Sequence, residues 1–228
     1  MLARVTFYSS LFTMDVMGIK IMVDAGDRER VERLGARWLP DARSWVIPDG
    51  VPDINSFREW LPDEEGYIVQ RPYFIMRTKR LCMRCGEETP LVALGAKYGY
   101  RLVCETTDKP LWKKWGFPIL FTGIVHMDEE ILKSMQDHYP FFQWSCSSLA
   151  DEGGDKYRYF DNDYFWANTC VHCKAVQEDE YNFIGEDAPF RPRTLNEARE
   201  LRVVCFKLGY DYYVQGKGVR NWLYGGIV

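Results

Sequence analysis

Four cysteines in two pairs are the residues of this chain best suited to chemistry: Cys82-Met-Arg-Cys85-Gly86 and Cys170-Val-His-Cys173-Lys174. A two-residue gap lets one tight turn aim two thiolates at a single ion, and two such turns complete a tetrahedral shell. Ligand type and spacing point to one shared zinc held by Cys82, Cys85, Cys170 and Cys173. A Cys-x-x-Cys can instead be a redox motif, but that reading wants a strand–helix–strand setting and a single pair. Here both pairs adjoin β-like runs. Leu81 precedes the first and Thr89–Leu94 follows it, while Tyr164–Ala167 precedes the second. Gly86 suits the left-handed position that closes such a turn, and Lys174 fills the equivalent place less readily. His172, inside the second turn, is read as exposed rather than as a ligand, since four thiolates fill the shell. The 84 residues between Cys85 and Cys170 imply a substantial inserted subdomain. Cys104, Cys146 and Cys205 are read as buried packing thiols.

An enzyme reading has one approximate motif behind it. Zinc nucleobase deaminases use H-x-E followed by P-C-x-x-C. His126-Met-Asp128 with Cys170 and Cys173 imitates that pattern and departs from it three times. Asp128 is a methylene shorter than the proton-shuttling glutamate, Thr169 replaces the proline, and Cys82 and Cys85 are left without a role. Asp128 reads better as a helix cap. Gly216-Lys-Gly218 is too short for a phosphate-cradling loop. The expectation is a protein without catalytic residues.

The elements that must position the cysteines are short. Ile19–Val23 reads as a strand. Asp24 or Asp27 can cap a helix carrying Val31 and Leu34, and Gly35 stops it. Pro40-Asp41 marks a turn between two strands bearing Trp38 and Trp45. A second helix carries Ile54, Phe57 and Leu61 and ends at Pro62. The acidic stretch Asp63–Glu65 reads as a linker. Further on, Asp128 caps a helix bearing Ile131, Leu132, Met135 and Tyr139. Residues 150–156 read as an exposed loop. Thr194-Leu-Asn-Glu197 is a capping box. The helix it starts carries Leu201, Val204, Cys205 and Leu208 at helical spacing and ends at Gly209.

Two stretches are similar to known families. Leu34-Gly-Ala-Arg-Trp38, Pro40-Asp41-Ala42 and Trp45-Val-Ile-Pro48 resemble a small domain of unknown function appended to plasmid-type DNA primases and other mobile-element proteins. The match spans residues 19–61. A more distant resemblance is to the HARP module of fork-remodelling helicases, which shares an Arg–turn–Trp hairpin and binds DNA. The runs Cys82–Leu94 and Tyr164–Cys173 look like an uncharacterised family of bacterial zinc-binding proteins, for which no activity carries over. The first resemblance implies single-stranded or forked DNA as a partner, contacted through Arg37 and Arg43. Exposed aromatics beside arginines grip unpaired bases. Trp38 and Trp45 are nonetheless read first as the core of the small module, which needs large side chains to bury enough area.

Composition bounds the rest. A hydrophobic fraction of 46% and an aromatic fraction of 15% describe a packed globular chain. Seven cysteines with metal-like spacing argue against a disulfide framework and for a reducing, cytoplasmic setting. No stretch approaches the roughly 20 apolar residues of a membrane span, and the N-terminal residues lack the run and cleavage site of a signal peptide. The net charge of −4 supplies no global field toward nucleic acid, although seven basic and three acidic residues in 189–228 make that tail cationic. The fold expected is α+β. A hairpin–helix module over 1–62 precedes a β-rich, zinc-ribbon-like domain over 67–228, which carries an inserted subdomain and a C-terminal helix. The function expected is a non-enzymatic zinc-binding protein of a bacterium or mobile element, associated with nucleic acid. A protein–protein adaptor or inhibitor with structural zinc is the alternative, and a zinc-dependent deaminase or hydrolase the third.

Overall fold

Short apolar runs punctuated by turn residues build the N-terminal part. A computed structural model describes residues 6–9, 18–40, 43–62, 66–103, 111–146, 164–207 and 211–228. After strand β1 (Thr6–Ser9) come β2 (Gly18–Ile21), helix α1 (Arg28–Arg33), β3 (Arg37–Leu39) and β4 (Ser44–Pro48). The last three strands form a sheet of order β2-β4-β3, with Trp38 directly opposite Trp45. Gly35 ends α1 at φ 104°, the left-handed stop that its sequence position implies. Ile54–Trp60 turns as a tighter 3-10 helix rather than an α-helix, with Asp53 accepting from the Asn55 N–H at its start. Val31, Ile47 and Phe57 are buried together with Ile68, Leu102 and Trp112 from farther along the chain. The tryptophans depart from expectation. Trp38 is 48% exposed and Trp45 only partly buried at the edge of this cluster, so Phe57 and Trp60 supply the bulk that the pair was expected to give.

Beyond residue 66 almost everything joins one ten-stranded sheet. Its strands are β5 (Tyr67–Leu81), β6 (Glu88–Val103), β7 (Leu111–Trp115), β8 (Ile119–Met127), β9 (Phe142–Cys146), β10 (Tyr164–Thr169), β11 (Val176–Gln177), β12 (Arg202–Lys207) and β13 (Tyr212–Arg220), together with β1. β1 lies parallel to β12. Hydrogen-bonded pairing runs from β5 to β6, β6 to β8, β8 to β13 and β13 back to β5, so this part of the sheet closes on itself. The register of β5 slips between Gln70 and Tyr73. Before the slip its outer edge pairs with β13, and after it with β12. Residues between the two cysteine pairs contribute β6 to β10 to this same sheet.

Both faces of the long strands are apolar, which is why β5 and β6 read as near-continuous hydrophobic runs. Tyr73, Ile75, Val92 and Leu94 face a core closed by helix α2 (Glu129–His138) through Ile131 and Met135. Phe74, Met76, Leu91 and Ala93 face a second core with Phe183, Phe190, Leu223 and Tyr224. Asp128 caps α2, accepting from the Glu130 N–H at 3.0 Å.

The C-terminal helix is shorter than expected. The capping box is present, with the Glu197 N–H donating to Thr194 Oγ1, but the helix it starts, α3 (Leu195–Glu200), has six residues. Val204 and Cys205, expected on its apolar stripe, lie in β12. Val203 and Cys205 enter one core while Val204 and Phe206 meet the other, so the run satisfies a strand buried on two sides. Helical spacing within a short apolar run did not exclude that alternative. Leu208, Gly209, the 63–65 linker and the 150–156 loop lie outside the described residues.

Arg71 ties the small sheet to the large one. Its guanidinium lies 3.0 Å from Asp49 and 3.3 Å from the buried Asp211. Desolvation pushes Asp211 up to about 6, with Arg71 opposing and Asp49 adding to the rise.

Candidate metal centre

Each cysteine pair sits at the end of a β-hairpin. β5 and β6 meet at Leu81 opposite Glu88, and β10 and β11 meet at Thr169 opposite Val176. The two turns are built alike. The Cys82 N–H donates to the Glu87 C=O and the Gly86 N–H to the Cys82 C=O, at 2.8 and 2.9 Å. In the second turn the Cys170 N–H donates to the Ala175 C=O and the Lys174 N–H to the Cys170 C=O, at 2.8 and 3.0 Å. Gly86 and Lys174 both take positive φ, 74° and 63°. The left-handed residue at each turn is thus where the sequence places it, and Lys174 adopts it without a glycine's freedom.

The turns face one another. Cys82 Sγ is 3.7 Å from Cys173 Sγ, Cys85 Sγ is 3.7 Å from Cys170 Sγ, and all four sulfurs lie within 4.8 Å of one another. A tetrahedral ion with metal–sulfur bonds of about 2.3 Å has sulfur–sulfur edges of about 3.8 Å. The cluster could therefore hold one metal ion with little movement. Cys82 and Cys170 are buried, while Cys85 is exposed and Cys173 half-buried.

No protein-family model matches this chain. No characterised protein or solved structure matches it either. The chemistry of the site is thus read from its own residues.

Electrostatics favours a cation among the sulfurs. Burial resists ionisation of Cys82, but the N–H groups of Cys85 and Arg84, together with the thiols of Cys170 and Cys173, outweigh it and hold that thiol down to about 6. Burial likewise resists ionisation of Cys170, which the N–H groups of Cys173 and His172 bring below the ordinary thiol value. At Cys85 the Glu87 N–H favours the thiolate, yet desolvation and the three neighbouring sulfurs push it up to about 12. The first thiolates form readily and the last is opposed by the others. A divalent cation removes that conflict.

Several supporting residues carry no recognised metal-site spacing. Gln177, buried at the end of the second hairpin, donates from Nε2 to Cys82 Sγ at 3.4 Å and to the Ala175 C=O at 2.9 Å. Asn182 donates to the Gln177 C=O and accepts from Arg80, which also reaches the Tyr181 C=O. Asn168 is 1% exposed and works as a strand would. Its Oδ1 accepts from the Val92 N–H at 2.8 Å, and its Nδ2 donates to the Val92 C=O at 2.9 Å. The Val171 N–H donates to Thr89 Oγ1, and His172 Nε2 lies 3.1 Å from the Glu88 C=O. His172 is thus an exposed bridge between the turns and outside the sulfur shell. Asn168 lies two positions before Cys170, where its amide was the available signal.

The remaining candidates fall elsewhere. His126 is exposed, 6.1 Å ring to ring from Tyr213, and Asp128 caps α2; neither belongs to the sulfur cluster. Arg37 and Arg43 are exposed on the β3–β4 hairpin, Arg43 at φ 46° in its turn. Cys205 is buried as expected, Cys104 lies outside the described residues, and of Cys146 only the strand is described. Among the described residues no helix is long and apolar enough to cross a membrane.

Proposed function

We propose that this chain is a non-enzymatic binding protein whose two hairpins are stapled by one structural zinc, and that its N-terminal hairpin contacts unpaired nucleic acid. The observation that carries the zinc reading is the cluster of four sulfurs, all within 4.8 Å of one another and two pairs of them 3.7 Å apart, with no histidine or carboxylate in it. A closed shell of four protein ligands leaves no open position for a reacting water, which is the mark of a structural rather than a catalytic site. The site suits a zinc-ribbon-like arrangement in a reducing, cytoplasmic setting.

The nucleic-acid reading rests on the β3–β4 hairpin. Arg37 and Arg43 are exposed there, and Trp38 leaves about half its surface open beside them. That combination suits a strand whose bases stack while its phosphates are neutralised. The module's charge is nearly balanced, with seven basic and eight acidic residues over 19–61, so affinity is modest and its salt dependence shallow. A protein–protein adaptor is the second reading, favoured by the net charge of −4.

Two measurements test the proposal. Metal analysis of purified protein gives about one zinc per chain, and replacing any one of the four cysteines with serine lowers that content and the solubility together. Two metals per chain, or none in a stably folded protein, overturns the zinc reading. Titration of labelled forked, single-stranded and duplex DNA shows binding to unpaired DNA that Arg37→Ala/Arg43→Ala removes. Unchanged binding in that variant, or no binding at low salt, moves the adaptor reading to first place.

A further inference from the structure

Arg77 on β5 and Arg202 on β12 are directly opposite one another across an antiparallel pair. Side chains opposite each other share one face of the sheet with their Cβ atoms about 5 Å apart, and like charges so placed repel. Both arginines are exposed. Among the described residues neither guanidinium lies within ion-pair distance of a carboxylate. The Tyr139 ring, 5.4 Å beneath the Arg77 guanidinium, accounts for the placement of Arg77. Among the described residues no ring lies comparably beneath Arg202. Two arginines rooted directly opposite one another on one face of a sheet can bring their guanidinium groups to a single anion.

We propose that Arg77 and Arg202 form a phosphate-binding site at the β5–β12 edge. Guanidinium groups present paired N–H donors that match phosphate oxygens, and they keep their charge at every physiological pH. The Tyr139 ring holds one guanidinium in place, and the two-sided burial of β5 and β12 fixes the spacing at which both side chains leave the sheet. The site also gives a use to the cationic stretch 189–228, to which Arg202 belongs. The phosphate comes either from a nucleic-acid backbone or from a small phosphorylated molecule. The nucleic-acid source rests on the function proposed above, and the small-molecule source does not.

Arg77→Gln/Arg202→Gln in the full chain is the informative variant, because both side chains are exposed and the substitution removes a repulsion. Without ligand its Tm stays within about 3 °C of the wild-type value, because the relieved repulsion and the lost Tyr139 contact oppose one another. With inorganic phosphate or pyrophosphate, the wild-type Tm rises more than that of the variant at equal ionic strength set with chloride. With single-stranded DNA, the slope of log K against log salt falls by about 1.4 in the variant, which is about a 25-fold weaker complex at 0.1 M salt. Arg77→Lys/Arg202→Lys keeps the charge and restores the salt slope while leaving the phosphate-induced Tm shift reduced.

The outcomes separate the sources and the claims. A phosphate-induced shift without DNA binding identifies a small phosphorylated ligand and refutes the nucleic-acid reading alone. DNA binding that depends on Arg37 and Arg43, unaltered in the glutamine variant, refutes nucleic acid as the source of this site's phosphate and leaves the function standing. Equal phosphate response and equal salt slope in wild type and variant overturn the inference outright.

Discussion

Replacing Asn168 with alanine tests how the second cysteine pair is held against the first hairpin. The side chain is buried and makes two hydrogen bonds to one residue, the N–H and C=O of Val92. Alanine removes both partners and leaves two buried backbone groups unsatisfied. Each such group costs about 1–3 kcal/mol, so the expected loss is about 2–6 kcal/mol, with 4 kcal/mol as the central figure. That is a large part of the 5–15 kcal/mol that typically holds a domain of this size. Urea denaturation of metal-loaded protein at neutral pH reads it directly as a lower midpoint with an unchanged slope. The loss has a second signature. β10 leads straight into Cys170, so loosening it from β6 also weakens the metal, and a chelator strips the variant faster than the wild type. A stability change below 1 kcal/mol, with stripping at the wild-type rate, would refute the idea that Asn168 acts as the missing strand.

Gln177→Ala removes the amide that donates to Cys82 Sγ and lowers metal affinity roughly 10- to 100-fold, read by competition with a chromophoric chelator. Asp179 accepts from the Gly123 N–H at 2.6 Å and is pushed from 3.8 up to about 7, chiefly by desolvation, with Glu178 adding to the rise. A carboxyl raised in the folded state contributes stability that is complete below its unfolded pKa and is lost as pH rises through 7. Asp179→Asn therefore gains on the wild type by roughly 2–4 kcal/mol at pH 8, and the two converge near pH 4. Thermal melts across that range check it, and a gap independent of pH would contradict it. Gly99→Ala places a methyl 2.1 Å from the Ile68 carbonyl oxygen and 2.3 Å from the Trp115 ring, so β5, β6 and β7 must separate. A loss of about 2–3 kcal/mol in a chemical melt is expected.

Local chemistry was legible in the sequence and long-range pairing was not. The cysteine turns, the left-handed positions at Gly86 and Lys174, the stop at Gly35 and the caps at Asp128 and Thr194 each depend on residues a few positions apart. Their sterics are set within one turn. β12 was misread because Val203–Phe206 suits either a helix stripe or a strand buried on two faces. Only its partner Tyr73–Arg77, about 130 residues earlier, decides between them. The closed circuit of β5, β6, β8 and β13 has the same cause, since no local pattern reports which edges will meet. Trp38 was misassigned because the small module does not form its core alone; Ile68, Leu102 and Trp112 complete it from outside. Gln177 and Asn168 escaped notice as supports because amides carry no distinctive spacing.

The two halves of the sulfur cluster are far apart in time as well as in sequence. A ribosome delivers Cys82 and Cys85 first and must add 84 more residues before Cys170 appears. At about 5–20 residues per second, the first pair waits roughly 4–17 s without its partners. For that interval it is a dithiol without the two sulfurs that complete its cluster, and two thiolates alone leave a soft metal half-coordinated. Any ion that all four sulfurs hold is bound late, after completion of the strands that carry the second pair. Each hairpin can close on its own backbone hydrogen bonds, so what waits for the second pair is only the meeting of the four sulfurs.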